Sequence, residues 1–169
     1  MAYIKREARD NFTKWSRVLL YCNEAGADKS LAKIICADLF NEARILSAAT
    51  GLPVDTTRSG MLSGVAAALN RTLVVEASLL TTGTDNGGPV GASLRLAAYT
   101  RTVALIRVSI GSEASDTMTR RGDLVMWERA AVGASTSTIA ELGAKMSDGL
   151  QQMLKALLTE ILEARRLRP

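Results

Sequence analysis

Hydrophobic positions recur with helical spacing in three stretches of the chain. In the first, Ile4, Ala8, Phe12, Trp15, Leu19 and Cys22 follow one another at steps of three or four residues. At 100° per residue they fall within an arc of about 80°, leaving Lys5, Arg6, Arg9, Asp10, Lys14 and Arg17 on the other face. This spacing predicts an amphipathic helix that stops at Gly26. A second helix is predicted between an Asp28 cap and Gly51, with Leu31, Ile35, Leu39 and Leu46 inward. The third carries the stripe Leu150, Met153, Leu154, Leu157, Leu158, Ile161 and Leu162 behind a Ser147 or Asp148 cap.

The middle of the chain is less regular. Pro53 and Asp55 open a segment running through Met61, Leu62, Val65, Leu69 and Leu73 to a stop at Gly83, read as helix. Thr84-Asp85-Asn86-Gly87-Gly88-Pro89 is a loop by composition. Within residues 90–110, Val103-Ala104-Leu105-Ile106-Arg107-Val108-Ser109-Ile110 suits a buried strand or an internal helix equally. Helix is the expectation, because no partner strand is visible elsewhere and a lone strand leaves its backbone unsatisfied. A loop from Gly111 to Asp123 then leads into a helix from Leu124 to Met146. Its small residues Ala130, Ala131, Gly133, Ala134 and Ser135 allow a neighbouring backbone to approach closely. The predicted fold is all-α: a single-domain bundle of five or six helices over residues 1–169.

Composition narrows the chemistry. A chain of 169 residues suits one domain, and 47% hydrophobic residues suffice for a core that, with 4% aromatics, is mainly aliphatic. There is no histidine, which excludes Ser-His-Asp and Cys-His catalysis and the common zinc sites. The N-terminus carries charge where a secretory signal needs an apolar run, and no stretch is long and charge-free enough to span a membrane. Cys22 and Cys36 lack CxxC spacing and are expected to be free, buried thiols in a reducing cytosol. The expected location is therefore cytoplasmic, without membrane contact.

Catalytic signatures are missing. The glycine-rich stretch Gly83–Pro89 lacks the GxxxxGK[ST] pattern of a phosphate loop, although Gly88-Pro89-Val90-Gly91 could present backbone N–H groups at a helix start. Glu160 and Glu163 share a helix face but precede Arg165 and Arg166, the arrangement of a solvated helix end. Glu113, Asp116 and Asp123 lie near Arg120 and Arg121, so mutual neutralisation is the simpler account. No enzyme activity, cofactor or metal is expected.

Ile45-Leu46-Ser47-Ala48-Ala49-Thr50-Gly51-Leu52-Pro53 resembles the helix and "TGLP" turn of winged-helix regulators. The helix expected to follow, Ser59-Gly60-Met61-Leu62-Ser63-Gly64-Val65-Ala66-Ala67-Ala68, offers few polar groups to base edges and reads as core.

The net charge of +4 is unevenly placed. Residues 89–112 carry Arg95, Arg101 and Arg107 and no acid; Arg120 and Arg121 follow, and the chain closes with Arg165, Arg166 and Arg168. Arginine suits phosphate contacts, although a GC-rich genome raises arginine equally well. On a helix, Arg95, Arg101 and Arg107 point 120° apart; on a strand they share one face. Trp15, Tyr21, Tyr99 and Trp127 are possible stacking partners for bases, with Trp15 and Trp127 better placed for the core.

In size, predicted helicity, basicity and lack of motifs, the chain resembles the small helical-bundle subunits of multi-subunit CRISPR effector complexes. That resemblance implies a non-catalytic ribonucleoprotein subunit packing in several copies along RNA or DNA. Its partners would be nucleic-acid backbone, RNA in the first instance, other protein subunits and copies of itself. The arginines Arg95, Arg101, Arg107, Arg120, Arg121, Arg165, Arg166 and Arg168 are the residues expected to touch nucleic acid. The alternatives are a coat or tail protein of a virus or phage, suggested by the abundance of small residues, and a helix-turn-helix regulator.

Overall fold

A computed structural model describes residues 15–59, 72–82, 90–110, 114–135 and 139–166. In chain order these form β1 (Arg17–Asn23), α1 (Lys29–Thr50), β2 (Val54–Thr57), β3 (Thr72–Thr82), β4 (Val90–Ile110), β5 (Ala114–Ser135) and α2 (Ile139–Arg166). The strands make one sheet in the order β2-β1-β3-β4-β5. β1 runs parallel to β2 and β3, whereas β3–β4 and β4–β5 are antiparallel. The fold is therefore mixed α/β, and the all-α bundle predicted from the sequence is wrong.

The predicted helix α1 is present, with both expected ends. Asp28 caps it: one carboxylate oxygen accepts from the backbone N–H groups of Ser30 and Leu31, each at 3.0 Å. These bonds, with that from the Ser30 hydroxyl the strongest, hold the Asp28 carboxyl below the usual carboxylate range. At the other end Gly51 takes φ 68°, a left-handed conformation open to glycine, and its N–H donates to the Ser47 carbonyl. The turn then buries Leu52, whose carbonyl accepts from the Ser47 hydroxyl at 2.9 Å. Val18 N–H donates to the Pro53 carbonyl, setting β2 beside β1. The Thr50-Gly51-Leu52-Pro53 turn thus returns the chain to the sheet, and a strand follows it. Residues 60–68 of the recognition helix considered above lie outside the described residues.

Corrections to the remaining elements have physical causes. Trp15, Leu19 and Cys22 fit a helical stripe, but Val18, Leu20 and Cys22 fit period two equally, and these three are the residues buried in β1. Residues 1–14 of the proposed first helix lie outside the described set. The segment ending at Gly83 is strand over Thr72–Thr82, where the run Leu73-Val74-Val75 is buried on both faces. A strand covered on both sides loses its alternation. Residues 90–110 are strand, rich in β-branched Thr, Val and Ile. The loop and helix expected over 111–146 are instead β5 from Ala114 to Ser135, with helix only from Ile139.

β5 escaped notice because its alternation inverts. Ala98 pairs with Trp127 but Tyr99 pairs with Val125, leaving Met126 as an extra residue at a β-bulge. Even-numbered residues of β5 therefore share a face with odd-numbered ones beyond the bulge. The small residues do permit close approach, though on a strand: a side chain at Gly133 would meet Met146 Sδ at 3.2 Å and Leu142 at 3.4 Å.

Both helices cover the same face of the sheet. Val18, Leu20, Leu73, Val75, Ala77, Leu94, Leu96 and Ala98 pack against Leu31, Ile35 and Leu39 of α1 and Leu142, Leu150, Leu154, Leu157 and Ile161 of α2. Of the inward stripe predicted for the last helix, Leu150, Leu154, Leu157, Leu158 and Ile161 are buried, Met153 packs partly against the core and Leu162 is half-exposed; α2 begins earlier than predicted and Ser147 is not its cap. Ser147 is buried mid-helix and donates its hydroxyl to Asp38 of α1 at 2.9 Å. The two helices are close near Gly143, where a Cβ would come within 2.9 Å of Leu31 Cδ1.

Cys22 of β1 and Cys36 of α1 form a buried disulfide with Cα atoms 5.9 Å apart. The expectation of free thiols is corrected: their distance in sequence concealed their adjacency across the layer interface. With it goes the argument for a reducing cytosol. No described helix is long and apolar enough to cross a membrane.

The bridge closes a loop with a sequence separation of 14, worth about 3 kcal/mol in the chain-entropy account. Reduction, or the double substitution Cys22→Ser/Cys36→Ser, is expected to lower the melting temperature by about 6–12 °C. Calorimetry with and without reductant measures this, and an unchanged transition would show that the bridge contributes nothing.

Candidate interaction surface

The face of the sheet opposite the helices carries the polar groups. Strand register aligns Tyr21, Glu76, Ala97 and Glu128 in one row and Asn23, Ser78, Arg95 and Ala130 in the next. One Glu76 oxygen accepts from the Asn23 amide and the Ser78 hydroxyl, both at 3.0 Å. Arg95 Nε donates to Glu128 at 2.5 Å. This bond holds the Glu128 carboxyl below the ordinary glutamate range, while burial and then the Glu76 charge push the Tyr21 phenol up. The raised Tyr21 phenol stays protonated beside the Glu76 carboxylate. The arrangement tethers neighbouring strands through their side chains. Among the described residues no three of His, Cys, Asp and Glu cluster as metal ligands.

β4 resolves the question raised by the arginine spacing. Arg95, Arg101 and Arg107 all stand at odd positions of one strand, β4, and the described one, Arg95, lies on the face opposite the helices. Backbone register places Arg101 across from Asp123, Arg107 across from Thr117, Arg121 across from Val103 and Arg120 across from Ala104. The C-terminal group is separate. Arg165 is half-buried and donates to the Trp15 carbonyl, Arg166 is exposed in the last turn of α2, and Arg168 lies outside the described residues. Of the eight predicted arginines, the side chains of Arg95, Arg165 and Arg166 are described and are not brought together; those of Arg101, Arg107, Arg120 and Arg121 lie outside the described ones.

Acidic partners interleave with these cations. Besides Arg95–Glu128, ion pairs join Arg17 to Asp55 at 3.2 Å, Arg58 to Glu24 at 3.4 Å, Arg129 to Glu160 at 3.5 Å and Lys155 to Glu42 at 3.0 Å. Arg129 also lies over the Trp127 ring at 5.2 Å. Trp15 and Trp127 pack against the core as expected. Sequence reasoning missed Glu76 and Glu128, because their partners are 53 and 33 residues away. The available signal was the even spacing of the arginines, which favours one face only on a strand.

Two further surface features follow from the topology. A groove of about 520 Å³ runs between α1 and β2, lined by Phe40, Asn41, Arg44, Val54, Asp55 and Thr56. Its charges are engaged within the chain, Arg44 with Asn41 at 2.8 Å and Asp55 with Arg17. On the opposite face, Leu80 and Val132 flank Ser93 in one register row, and Val132 is 84% exposed.

Among the described residues, the ribbon formed by β4 and β5 outruns the rest of the sheet. Pairing with β3 ends at Val74–Tyr99, yet β4 and β5 continue to pair over Thr100–Ile110 and Ala114–Leu124. Eleven residues per strand extend about 36 Å. The bulge at Met126 lies at the junction, where extra twist re-aims the ribbon.

The Arg95–Glu128 pair has a defined pH signature. A depressed carboxyl pKa contributes stability above the unfolded-state value, and that contribution is lost as the pH falls through the depressed value. Arg95→Ala should move the Glu128 carboxyl upward in an NMR titration. It should also cost stability at neutral pH but not in acid. An unmoved Glu128 would show that the pair has no energetic weight.

No protein-family model matches the sequence, and no curated protein matches it either.

Proposed function

We propose that the chain is a non-catalytic structural subunit that assembles with copies of itself into a repetitive particle or tube, as coat and tail proteins do. The observation that carries this reading is the β4–β5 ribbon, which continues eleven residues beyond its last pairing with β3. A two-stranded ribbon is marginal alone in water and gains stability when covered. Its β4 half is apolar at six of the eight positions from Val103 to Ile110, the composition of a strand intended to be covered on both faces. The solvent-exposed Val132 and Leu80 add apolar surface on the sheet itself. The disulfide suits a particle that persists outside a reducing compartment.

Analytical ultracentrifugation and negative-stain electron microscopy of the purified protein test the reading. The expected result is concentration-dependent assembly into rings, tubes or shells. A monomer at every concentration would overturn it.

A second reading, attachment along RNA or DNA, is favoured by Arg95, Arg101 and Arg107 at odd positions of one strand, with Arg121 on the strand paired to it. Its weight is reduced by the acids interleaved there, Asp123 and Glu128. On this reading single-stranded RNA binds with an affinity that falls steeply between about 50 and 200 mM salt, and Arg107→Ala weakens it. Filter binding that is absent, or indifferent to salt, removes this reading.

A further inference from the structure

The sheet ends in two edges that are closed off to different degrees. β2 forms one, with only four residues. It carries the charged Asp55, and its Val54 N–H donates to the Ser47 hydroxyl at 3.2 Å. A short, charged edge with an occupied donor resists the addition of another strand. β5 forms the other edge, with 22 residues. From Val125 to Ser135 it holds no proline or lysine, and from Ala130 to Ser135 no charge. Glu128, Arg129, Ala130, Val132 and Ala134 are exposed. Ser93, in the same register row as Val132 and flanked by β3 and β5, is half-buried. A strand on either side shields a residue of this face as Ser93 is shielded. Val132, at 84% exposure, has no such shield, so the outer side of β5 is open at this level.

Two copies of one edge pair antiparallel about a two-fold axis perpendicular to the sheet. Such an axis joins each face of one sheet to the same face of the other, so residues of equal parity stand opposite each other. Centred on Val132, it sets Val132 against its own copy, Ala131 against Gly133 and Ala130 against Ala134. Every pair is small and uncharged, and Val132 gains the flank it lacks. Glu128 and Arg129 fall outside these pairs and keep their partners Arg95 and Glu160. Centred on Ala130 instead, the axis would set Glu128 against Val132. The helices agree with the first choice. At this level α2 lies over both outer strands: a side chain at Gly133 of β5 would meet Met146 and Leu142, and one at Gly149 of α2 would come within 4.0 Å of Leu94 of β4. With strands about 4.8 Å apart, a helix above the middle of β4 and β5 stands about 10 Å from its copy across the axis. Two helices pack at about that distance.

Resting on the assembly reading above, we infer that two copies of this chain join their β5 edges antiparallel about Val132, so that two five-stranded sheets become one of ten strands with the helices of both copies on the same side. Backbone hydrogen bonds along about 17 Å of strand, from Ala130 to Ala134, set the register, and the two α2 helices lying side by side widen the contact.

Cysteine cross-linking and sedimentation test the axis, because the native cysteines are already bonded and buried. In the full chain, Val132→Cys should oxidise to a covalent dimer at least tenfold faster than Leu80→Cys. Leu80 is 52% exposed on the same face but stands two strands further in, so its two copies would lie about 24 Å apart. Val132→Lys sets like charges side by side at the axis and should raise the dissociation constant at least tenfold. Circular dichroism checks that each variant folds, and the exposure of positions 80 and 132 leaves the core untouched. Equal rates at 132 and 80, no dimer at 132, or unchanged association of Val132→Lys would overturn the inference. So would Val132→Cys protein that cross-links only when mixed with Asp55→Cys protein, since β2 of one copy would then lie on β5 of the next. Wild-type protein that associates in any of these cases keeps the assembly reading and loses this contact alone. Wild-type protein that sediments as a monomer at every concentration removes both.

Discussion

Everything in this fold depends on one apolar layer, the interface between a single face of the sheet and two helices. The alternate residues Val18, Leu20 and Cys22 of β1, Leu73, Val75, Ala77 and Leu79 of β3, and Ala92, Leu94, Leu96 and Ala98 of β4 are sealed there by α1 and α2. Burial at roughly 25 cal/mol per Å² of apolar surface is what offsets the entropy of ordering strands that are distant in sequence. The parallel pair β1–β3 has most need of it, since such strands must be joined by a long connection. The Cys22–Cys36 bond lies inside this layer and ties β1 to α1, while Gly143 allows α2 to lie against α1. Small residues, rather than large ones, thus set how near the second helix comes.

With the helices on one side, the other side is where a polar network could form. Glu76, Asn23 and Ser78 bind one another across β1 and β3, and Arg95 and Glu128 do so across β4 and β5. Part of the basic charge is engaged within the chain: Arg17, Arg58, Arg95 and Arg129 each have an acidic partner. Such exposed pairs contribute little stability individually. Their consequence is for partners, because cations already paired attract phosphate less strongly. That balance is why we propose protein assembly ahead of nucleic-acid binding.

The bulge at Met126 lies where β4 and β5 pass their last pairing with β3. On the sheet side of it, β4 and β5 are held by β3 and α2; beyond it they continue as a pair. By inserting one residue it also inverts which β5 positions share a face. Glu128 and Asp123, of opposite parity, therefore both pair in register with odd positions of β4, Ala97 and Arg101.

The sequence by itself determined the elements whose signals are local. Helix α1 was legible to the residue at both ends, because an Asp cap and a left-handed Gly act on adjacent backbone groups. The inward stripe of α2 was legible too, as seven apolar positions at helical spacing admit no strand reading. The lack of histidine and of catalytic motifs was equally plain from composition. Tertiary structure alone decided the strands. Trp15 to Cys22 satisfies both periods, Leu73 to Val75 shows none, and β5 changes parity midway, so each gains its identity only from a neighbour far along the chain. The disulfide and the Glu76 and Glu128 bonds are decided in the same way. Pairing across a sheet is a non-local interaction, and the periodicity of one segment carries no record of its partner.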